Sequence, residues 1–320
     1  MSKKTKLYRY QKFSAQSLQL LCHDELYFSD AQAFNDPLDC QPHVEVGTDI
    51  REMRSILRRL VSDRVQREAE SSLKKIQLKD KNALDYAEKL GQQAADNKLN
   101  EIAYHANDPE YEISVKEAEC WLLTCEIQAE LLKRYDKGIC CFSASYNDPL
   151  LWSHYADQHK GFHAGYCLDR NPEPVVHKIE YGGNRTIPMA LIAEAILNET
   201  KESLSNLDHS VLLRKAPSWK YEKEWRLIDR KGVRESPLLL SEITFGLRCP
   251  AAIRYAVISA LKARGDDIAF YEMHQKRGSF QLARELVDCD EILASFPEVA
   301  RSGIEVFGHL PPIYIPGDKI

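Results

Sequence analysis

The sequence predicts an α+β protein with a mixed, largely antiparallel sheet and a helical insertion. Short runs of alternating apolar and polar residues, typical of strands, follow one another mostly without the helices that connect parallel strands. Between them, from about Asp49 to Arg134, glycine is nearly absent and apolar residues recur three and four positions apart. We therefore expect an α+β domain built from residues 1–48 and 137–286, a helical insertion at 49–136 and a tail at 287–320.

The segment before the helical block predicts a strand, a helix and a second strand. "KLYRYQKF" and "ELYFSD" alternate as strands do, while "SAQSLQLLCHDE" has helical spacing with Ser14 as its N-cap. "AFNDPLDCQPH" predicts a loop, because Asn-Asp-Pro and a second proline continue neither a helix nor a strand.

The segment after the helical block predicts further strands and three helices. The strands are expected at "KGICCFSASYND", "GFHAGYCLD", "PVVHKIEYGG", "SWKYEKEWRLI", "SPLLLSEITFGL", "DIAFYEMHQ" and "SFQLARE". The helices are expected at "PLLWSHYADQH", "TIPMALIAEAILNETKESLSNLDHSVLLRKA" and "CPAAIRYAVISALKARG". The tail is weakly patterned, so we expect it to pack in extended form over the surface or to be partly disordered. Because G-x-G-x-x-G and Walker motifs are missing, Rossmann and P-loop folds have little support.

Composition indicates a globular, cytoplasmic protein that is not a membrane protein. The chain is 44% hydrophobic and 28% charged, and no run approaches the roughly 18 apolar residues of a spanning helix. The basic N-terminus lacks the apolar region of a signal peptide. The net charge of −5 argues against bulk electrostatic binding of nucleic acid. The nine cysteines form no C-x-x-C pair, which favours buried, reduced thiols over a zinc site.

The stretch "SWKYEKEWRLI", Ser218 to Ile228, carries the first candidate site. On a strand, Glu222 and Glu224 share one face, and Arg226 joins them there. An ion pair between Arg226 and one glutamate is one interpretation. The other is a carboxylate that stabilises positive charge on a sugar carbon as its leaving group departs.

Three other segments carry candidate residues. Arg9 in "LYRY" is suited either to clamping a phosphate or to pairing with a carboxylate at a sheet edge. Ser143 and Ser145 share one strand face, where they would meet a ligand or bond locally. The remaining candidates have both a structural and a functional interpretation: Asp36 and Asp39 as turn residues or ligands of a divalent cation, and Trp152, His154 and Tyr155 as core aromatics or ligand contacts. The histidines His154, His159 and His163 lack the spacing of a metal site, so no metal is expected.

Five segments together resemble a known bacterial family. "LYRY", "LYFSDAQAFNDPLDC", "CCFSASYNDPLLWSHYADQHKGF", "SWKYEKEWRL" and "ITFGLRC" occur in the order and style of the domain-of-unknown-function family twenty-nine seventy-one. The resemblance covers roughly Lys6 to Asp39 and Lys137 to Glu285. This resemblance implies no particular activity.

A more distant resemblance, to ADP-ribosyltransferases of the R-S-E type, implies an ADP-ribosyltransferase-like fold and activity. Arg9, Ser143 with Ser145, and the E-x-E pair occur here in the order of that family's motifs, although Ser-Ala-Ser replaces the usual Ser-Thr-Ser. Carried over, NAD is the substrate and Arg9 holds its phosphate or ribose. Ser143 positions the ribose, Glu224 stabilises the oxocarbenium ion, and Glu222 selects the acceptor. The aromatic residues Tyr8, Trp152 and Tyr155 are candidates for stacking on nicotinamide.

Three functional hypotheses stay open on these grounds. The first is a NAD-consuming ADP-ribosyltransferase that acts as a toxin or in phage defence on a protein or nucleic acid; it requires Arg9, Ser143 and Glu224 in one cleft. The second is a metal-dependent nuclease or nucleotide hydrolase that uses Asp36, Asp39, His154 and Glu224. The third is a non-enzymatic protein whose helical block binds a partner, and a large separation of Arg9 from Glu224 would favour it.

Overall fold

The structure is a computed structural model that describes residues 6–78, 80–264, 267–297, 300 and 302–310. By its internal contacts the chain divides into two units. Unit 1 comprises Met1–Arg9, His23–Asp148 and Tyr166–Leu239, and unit 2 comprises Tyr10–Cys22, Pro149–Gly165 and Leu240–Ile320. The helical block of residues 49–136 therefore belongs to the same unit as the segments directly before and after it, residues 23–48 and 137–148.

Helices and strands alternate irregularly along the chain. The strands are β1 (Lys6–Gln11), β2 (Glu25–Asp30), β3 (His43–Val44), β4 (Gly138–Ser143), β5 (Phe162–Cys167), β6 (His177–Lys178), β7 (Glu180–Tyr181), β8 (Thr186–Ile187), β9 (Arg214–Lys215), β10 (Glu224–Asp229), β11 (Gly232–Glu235), β12 (Leu239–Phe245), β13 (Ala269–Gln275) and β14 (Leu282–Leu286). The helices are α1 (Ala15–Cys22), α2 (Ile50–Lys75), α3 (Lys81–His105), α4 (Val115–Arg134), α5 (Pro149–Tyr155), α6 (Met189–Ala193), α7 (Lys201–Leu212), α8 (Ala251–Lys262), α9 (Cys289–Ser295) and α10 (Gly303–Phe307).

Strand β4 organises the sheet of unit 1. β10 runs antiparallel along its whole length, with Glu224 opposite Ser143. On the other edge of β4, β1 pairs with one end, where Tyr8 lies opposite the same serine, and β2 pairs with the other end. β6 then borders β10, and β11 borders β2, both antiparallel. The predicted α+β class with a mixed, mostly antiparallel sheet is confirmed.

Side-chain caps determine where the three long helices of unit 1 begin. Asp49 accepts hydrogen bonds from two backbone N–H groups in the first turn of α2, and Asp80 accepts one from a backbone N–H in the first turn of α3. Ser114 and Glu117 form a reciprocal capping box at the start of α4. Each cap satisfies donors that the helix itself leaves unpaired, and contributes about 1 kcal/mol.

The core of unit 1 joins the long helices to the strands. The three helices each bury an apolar face in this core, contributing Met53, Ile56, Leu57, Leu60, Ala95, Leu99, Ile102, Leu123, Ile127 and Leu131. Residues of the strand segments, among them Val44 and Ile139, belong to the same buried cluster. Full burial of one such side chain contributes roughly 1.5–3 kcal/mol. The helices are thus part of the core that supports the sheet.

The strand predicted for Ser218 to Ile228 is wrong in its first half. Pro217–Glu222 forms a 3₁₀ helix, with Pro217 in the first position, where a fixed φ and a missing N–H are tolerated. Lys223 then takes a left-handed conformation at φ 46°, which ends the helix before β10 begins at Glu224. The alternating pattern was genuine only from Glu224 onward.

Other differences are breaks within predicted elements. The long helix predicted from Thr186 is interrupted, because α6 continues as a π-helical turn at Glu194–Asn198 and stops at Glu199, φ 50°, before Thr200 caps α7. "PVVHKIEYGG" contains two short strands, β6 and β7, and β11 was not predicted. In the tail, α9 and α10 are helical, and residues 311–320 lie outside the described residues.

Unit 2 has its own strands and core. β12 and β13 pair in parallel, with α8 as the connection between them, and β14 returns antiparallel to β13. Ser14 caps α1 as predicted, since its hydroxyl accepts the N–H of Ser17 at 3.0 Å. Trp152 is fully buried with Ala156, Met273 and Leu282. Within the described residues, neither unit has a helix that combines the length and apolar character required to cross a bilayer.

Candidate functional site

Five charged side chains of unit 1 form a buried cluster, which we call the charge cluster: Asp39, Lys215, Glu222, Glu224 and Arg226. Their side chains are between 0% and 8% exposed. Three carboxylates face two cations, so the charge cluster retains one net negative charge. Charges removed from water in this way are stable only when each is paired at close range.

Lys215 lies where the three carboxylates converge. Its Nζ is 2.5 Å from Glu222 Oε2, 2.8 Å from Glu224 Oε2 and 3.5 Å from Asp39 Oδ2. An ammonium group has three donors, and here each has a carboxylate within reach. The ammonium therefore occupies the position that a bound cation would take between these carboxylates. Among the described residues there is also no group of three or more His, Cys, Asp or Glu side chains able to hold a metal ion.

Arg226 is fully buried and joins the other side of the charge cluster. Its Nε donates to Glu224 Oε1 at 2.6 Å and its Nη2 to Asp39 Oδ2 at 2.6 Å. Its Nη1 donates to the Leu212 carbonyl at 2.7 Å and to Cys40 Sγ at 3.0 Å. The planar guanidinium thereby connects two carboxylates and a carbonyl in a way that a lysine would not. The ion pair between Arg226 and a glutamate, one of the two interpretations of the sequence, is present.

Local backbone structure brings these residues together. β9 pairs in parallel with β7, so that Lys215 lies opposite Tyr181, whose hydroxyl accepts the Glu224 N–H at 2.7 Å. The left-handed Lys223 turns the chain between the two glutamates, which lets both carboxylates reach Lys215 although they are not on one strand. Asp39 comes from the loop that the prolines at 37 and 42 keep irregular.

The pairing keeps Glu224 and Lys215 ionised. Burial raises the pKa of Glu224, but the charges of Arg226 and Lys215 outweigh it and lower that pKa to about 2. Burial lowers the pKa of Lys215, but Glu224, Glu222 and Asp39 outweigh it, and the pKa lies above 10.5. Lys215 is consequently a fixed cation at neutral pH, which excludes it as a nucleophile or general base there.

A cavity of about 250 Å³ lies beside the charge cluster in unit 1. Two members of the cluster, Asp39 and Lys215, line it, and so does the glycine turn Gly182–Gly183. The other charged residues in its lining are Asp36, Arg185 and Arg214. The cavity thus has two arginines that do not belong to the charge cluster, together with a carboxylate, Asp36, that also lies outside it.

Arg9 and Glu224 are not brought together. Glu224 and Tyr8 both lie opposite Ser143, and residues opposite one another in an antiparallel sheet share a face. Arg9, the next residue on β1, therefore points to the other face. There its guanidinium donates to Cys140 Sγ and to the Tyr27 carbonyl. The single cleft required by the first hypothesis is not formed by these side chains.

The predicted serines and Tyr8 are near the glutamates but are buried in local contacts. Ser143 Oγ donates to the Glu222 carbonyl at 2.6 Å and accepts the Ser145 N–H at 2.9 Å. Ser143 and Ser145 are 4% and 8% exposed, and Tyr8 packs its ring 5.9 Å from that of Tyr146. Ser143 thus fixes the backbone of the E-x-E segment, which was not foreseen.

Three predicted ligand contacts belong to unit 2. Trp152 packs in the core of that unit, with its ring 5.1 Å from the ring of Tyr10. His154 and Tyr155 follow it on α5 and make an edge contact with each other at 6.3 Å. The interpretation of Trp152 as a core aromatic fits this environment.

Sequence reasoning missed three cationic residues of the site: Arg185, Arg214 and Lys215. Each lies in a loop or a two-residue strand, where no periodic pattern marks it. The one indication in the sequence was that Arg214 and Lys215 lie a short distance before Glu222 and Glu224.

Comparison with known proteins gives one match. Residues 151–227 match the family model described as "Protein of unknown function (DUF2971)". No curated protein matches and no solved structure matches, so the resemblance to ADP-ribosyltransferases is not supported. The matched segment contains four residues of the charge cluster and both cavity arginines, whereas Asp36 and Asp39 lie before it. The match over residues 151–227 confirms, for that part of the chain, the resemblance to this family of unknown function that the sequence motifs indicated.

Proposed function

We propose that this protein binds a small organic anion in the cavity beside the charge cluster. The observation that carries the proposal is that Arg185 and Arg214 both line this cavity without belonging to the cluster. Among the described residues, the Arg214 side chain makes one hydrogen bond, a long one of 3.4 Å from Nη1 to the Asn184 carbonyl. Its remaining donors are available to a carboxylate or phosphate, which guanidinium groups bind through paired hydrogen bonds.

In this proposal the charge cluster forms a rigid part of the cavity wall. The donors of Lys215 are directed at three carboxylates, and those of Arg226 at two carboxylates and a carbonyl. Neither cation is left for a ligand. The cluster instead holds Asp39 and the segment Arg214–Lys215 in fixed positions, so the ligand meets a site that is already formed.

ADP-ribosyl transfer from NAD is the second candidate function. In its favour, the charge cluster retains a net negative charge, which would stabilise a positively charged sugar carbon near Asp39. Against it, Arg9 lies on the other face of the sheet from Glu224, and Glu224 is ion-paired on both oxygens. A role as a toxin or in phage defence, with a protein or nucleic-acid acceptor, depends on this second candidate. The metal-dependent hydrolase has no comparable support.

Isothermal titration calorimetry with ribose 5-phosphate, citrate and inorganic phosphate tests the anion-binding proposal. We expect at least one of these anions to bind the wild type, and Arg214→Gln to weaken that binding at least tenfold. Arg67→Gln is the matched control, because Arg67 is an exposed arginine on α2, outside the cavity lining. If none of the three anions binds, or if Arg214→Gln binds as the wild type does, the proposal is wrong.

A further inference from the structure

We propose that the anion is a phosphorylated sugar, whose phosphate is bound by Arg185 and Arg214 and whose hydroxyl groups are bound by Asp36. This inference rests on the proposed anion-binding function of the cavity and specifies its ligand. Three properties of the cavity support it: the shape of its cationic groups, the free acceptor capacity of Asp36, and its volume.

The cationic groups suit a phosphate. A guanidinium is a planar fork of donors, and two of them match the several oxygens of a phosphate better than isolated ammonium groups do. Arg185 is exposed and Arg214 half-buried, so both can turn their guanidinium groups into the cavity. The one ammonium in the lining, that of Lys215, is already surrounded by carboxylates.

Asp36 is the group that binds the hydroxyl groups of the ligand. Its Oδ2 accepts the indole N–H of Trp219 at 2.8 Å, and its Oδ1 accepts the N–H of Leu38 at 2.9 Å. These two bonds fix the orientation of the carboxylate. Each carboxylate oxygen accepts about two hydrogen bonds, so one acceptor position on each remains for hydroxyl donors.

Asp36 also discriminates against anions that would place a negative group, instead of a hydroxyl donor, beside its carboxylate. A tricarboxylate such as citrate would bring further negative charge towards Asp36 and Asp39, and like charges at close range in a partly buried site repel strongly. A sugar phosphate places its negative charge at one end and neutral donors at the other. It therefore suits a cavity whose lining contains both arginines and the carboxylate of Asp36.

The volume limits the size of the ligand. Pockets that enclose drug-sized molecules measure roughly 300–1,000 Å³, and this cavity of about 250 Å³ lies just below that range. One sugar with one phosphate is an appropriate occupant. A dinucleotide such as NAD would place at most one of its phosphoribosyl halves inside, with the remainder in solvent.

The test compares ribose 5-phosphate, ribose, inorganic phosphate and citrate by calorimetry with the full chain. We expect ribose 5-phosphate to bind at least tenfold more tightly than each of the other three. Asp36→Asn keeps the shape and one acceptor oxygen, for the N–H of Trp219 or that of Leu38, but removes the charge and the second acceptor. We expect it to weaken ribose 5-phosphate binding about tenfold and to leave the weaker phosphate binding unchanged or improved.

The outcomes separate this inference from the function on which it rests. If citrate or inorganic phosphate binds as tightly as ribose 5-phosphate and depends on Arg214, the anion site stands and the sugar-phosphate assignment is wrong. If Asp36→Asn binds ribose 5-phosphate as the wild type does, the role of Asp36 is wrong. Thermal unfolding of each variant without ligand shows whether a loss of binding reflects a loss of folding, and a second variant, Asp36→Ser, then replaces an unfolded one.

Discussion

Lys215 Nζ and Glu222 Oε2 lie 2.5 Å apart, and this contact ties the end of the 3₁₀ helix to the strand that borders the cavity. Glu222 is the last residue of that helix, and Pro217, its first residue, lines the cavity together with Ala216. Trp219 between them donates to Asp36 and places its ring 5.2 Å from Lys215 Nζ. The 3₁₀ helix is therefore held at its middle and its end by contacts with residues of the cavity wall.

Removal of the Lys215 charge is expected to destabilise the protein strongly. Lys215→Met leaves three buried carboxylates with Arg226 as their one remaining cation in the cluster. An unpaired buried charge costs about 3–5 kcal/mol, a large part of the roughly 5–15 kcal/mol that stabilises a typical domain. Urea unfolding measures this loss. Lys220→Met, an exposed lysine of the same 3₁₀ helix, serves as control and is expected to change the free energy of unfolding by less than about 0.5 kcal/mol.

A double variant tests the assignment of that loss to charge. Lys215→Met combined with Glu222→Gln removes one cation and one of its carboxylates, so we expect it to recover part of the lost stability. If Glu222→Gln lowers the free energy of unfolding by the same amount in the Lys215→Met protein as in the wild type, the two residues are not energetically coupled.

Acid is expected to weaken the charge cluster through Glu224. Its pKa is about 2 in the folded protein against 4.5 when unperturbed, so the unfolded chain binds the proton more readily. The stabilisation by this carboxylate is complete above about pH 4.5 and disappears as the pH falls towards 2. Its size is on the order of 3 kcal/mol, from the difference between the two pKa values. The free energy of unfolding in urea at pH 6, 5, 4 and 3 measures it.

The variant Glu224→Gln identifies the group responsible. It is expected to be less stable at pH 7 and to lose less stability than the wild type between pH 5 and pH 3. Glu235→Gln, at an exposed glutamate on β11, is expected to follow the wild-type profile. A Glu224→Gln profile as steep as that of the wild type would assign the acid sensitivity to other carboxylates.

Arg9 and Arg214 are expected to differ in their effect on ligand binding. The guanidinium of Arg9 contacts Cys140 and Tyr27 on the face opposite Glu224, whereas Arg214 lines the cavity. Arg9→Gln should leave the dissociation constant of ribose 5-phosphate within about twofold of the wild-type value, while Arg214→Gln raises it at least tenfold. The reverse result, with nicotinamide release from NAD lost in Arg9→Gln and in Glu224→Ala, would favour the ADP-ribosyltransferase instead.

The glycine turn at the cavity is expected to be sensitive to substitution because of its backbone. Gly183 has φ 77°, and a Cβ there would have no neighbour within 4 Å. The cost of Gly183→Ala is therefore the cost of the left-handed conformation, about 1–2 kcal/mol. Gly183→Asn is expected to cost less, because asparagine adopts this conformation more readily. Equal stability of the alanine variant and the wild type in urea would contradict this.

The regular parts of unit 1 were predictable because their signals are local. Asp49 and Ser114 cap helices that their own apolar periodicity predicts. The strand β4 was evident from a continuous apolar run. By contrast, the 3₁₀ helix was not predicted, because its residues alternate in polarity as those of a strand do. The left-handed conformation of Lys223 was not predicted either, because lysine is not a residue type typical of that conformation.

The candidate site was predictable only in the short segment from Glu222 to Arg226. Glu222, Glu224 and Arg226 drew attention because they are adjacent in sequence. Asp39 joins them through packing of a segment far away in the chain, and Lys215 joins them from a two-residue strand without a periodic pattern, so the pairing partner of each charge could not be predicted from its neighbours in sequence. The expectation for Arg9 failed for a similar reason, since the pairing register between strands decides which residues share a face of the sheet.

The complete enclosure of Arg226 also constrains how this sequence can change. Its guanidinium contacts Asp39, Glu224 and the Leu212 carbonyl at once, so a lysine, with a single point of charge, cannot replace it without leaving an acceptor unpaired. A neutral residue in place of either cation leaves three buried carboxylates with a single cation. Divergent relatives are therefore expected to replace Lys215 or Arg226 only together with a carboxylate, and intermediates in which a cation alone is replaced should be rare.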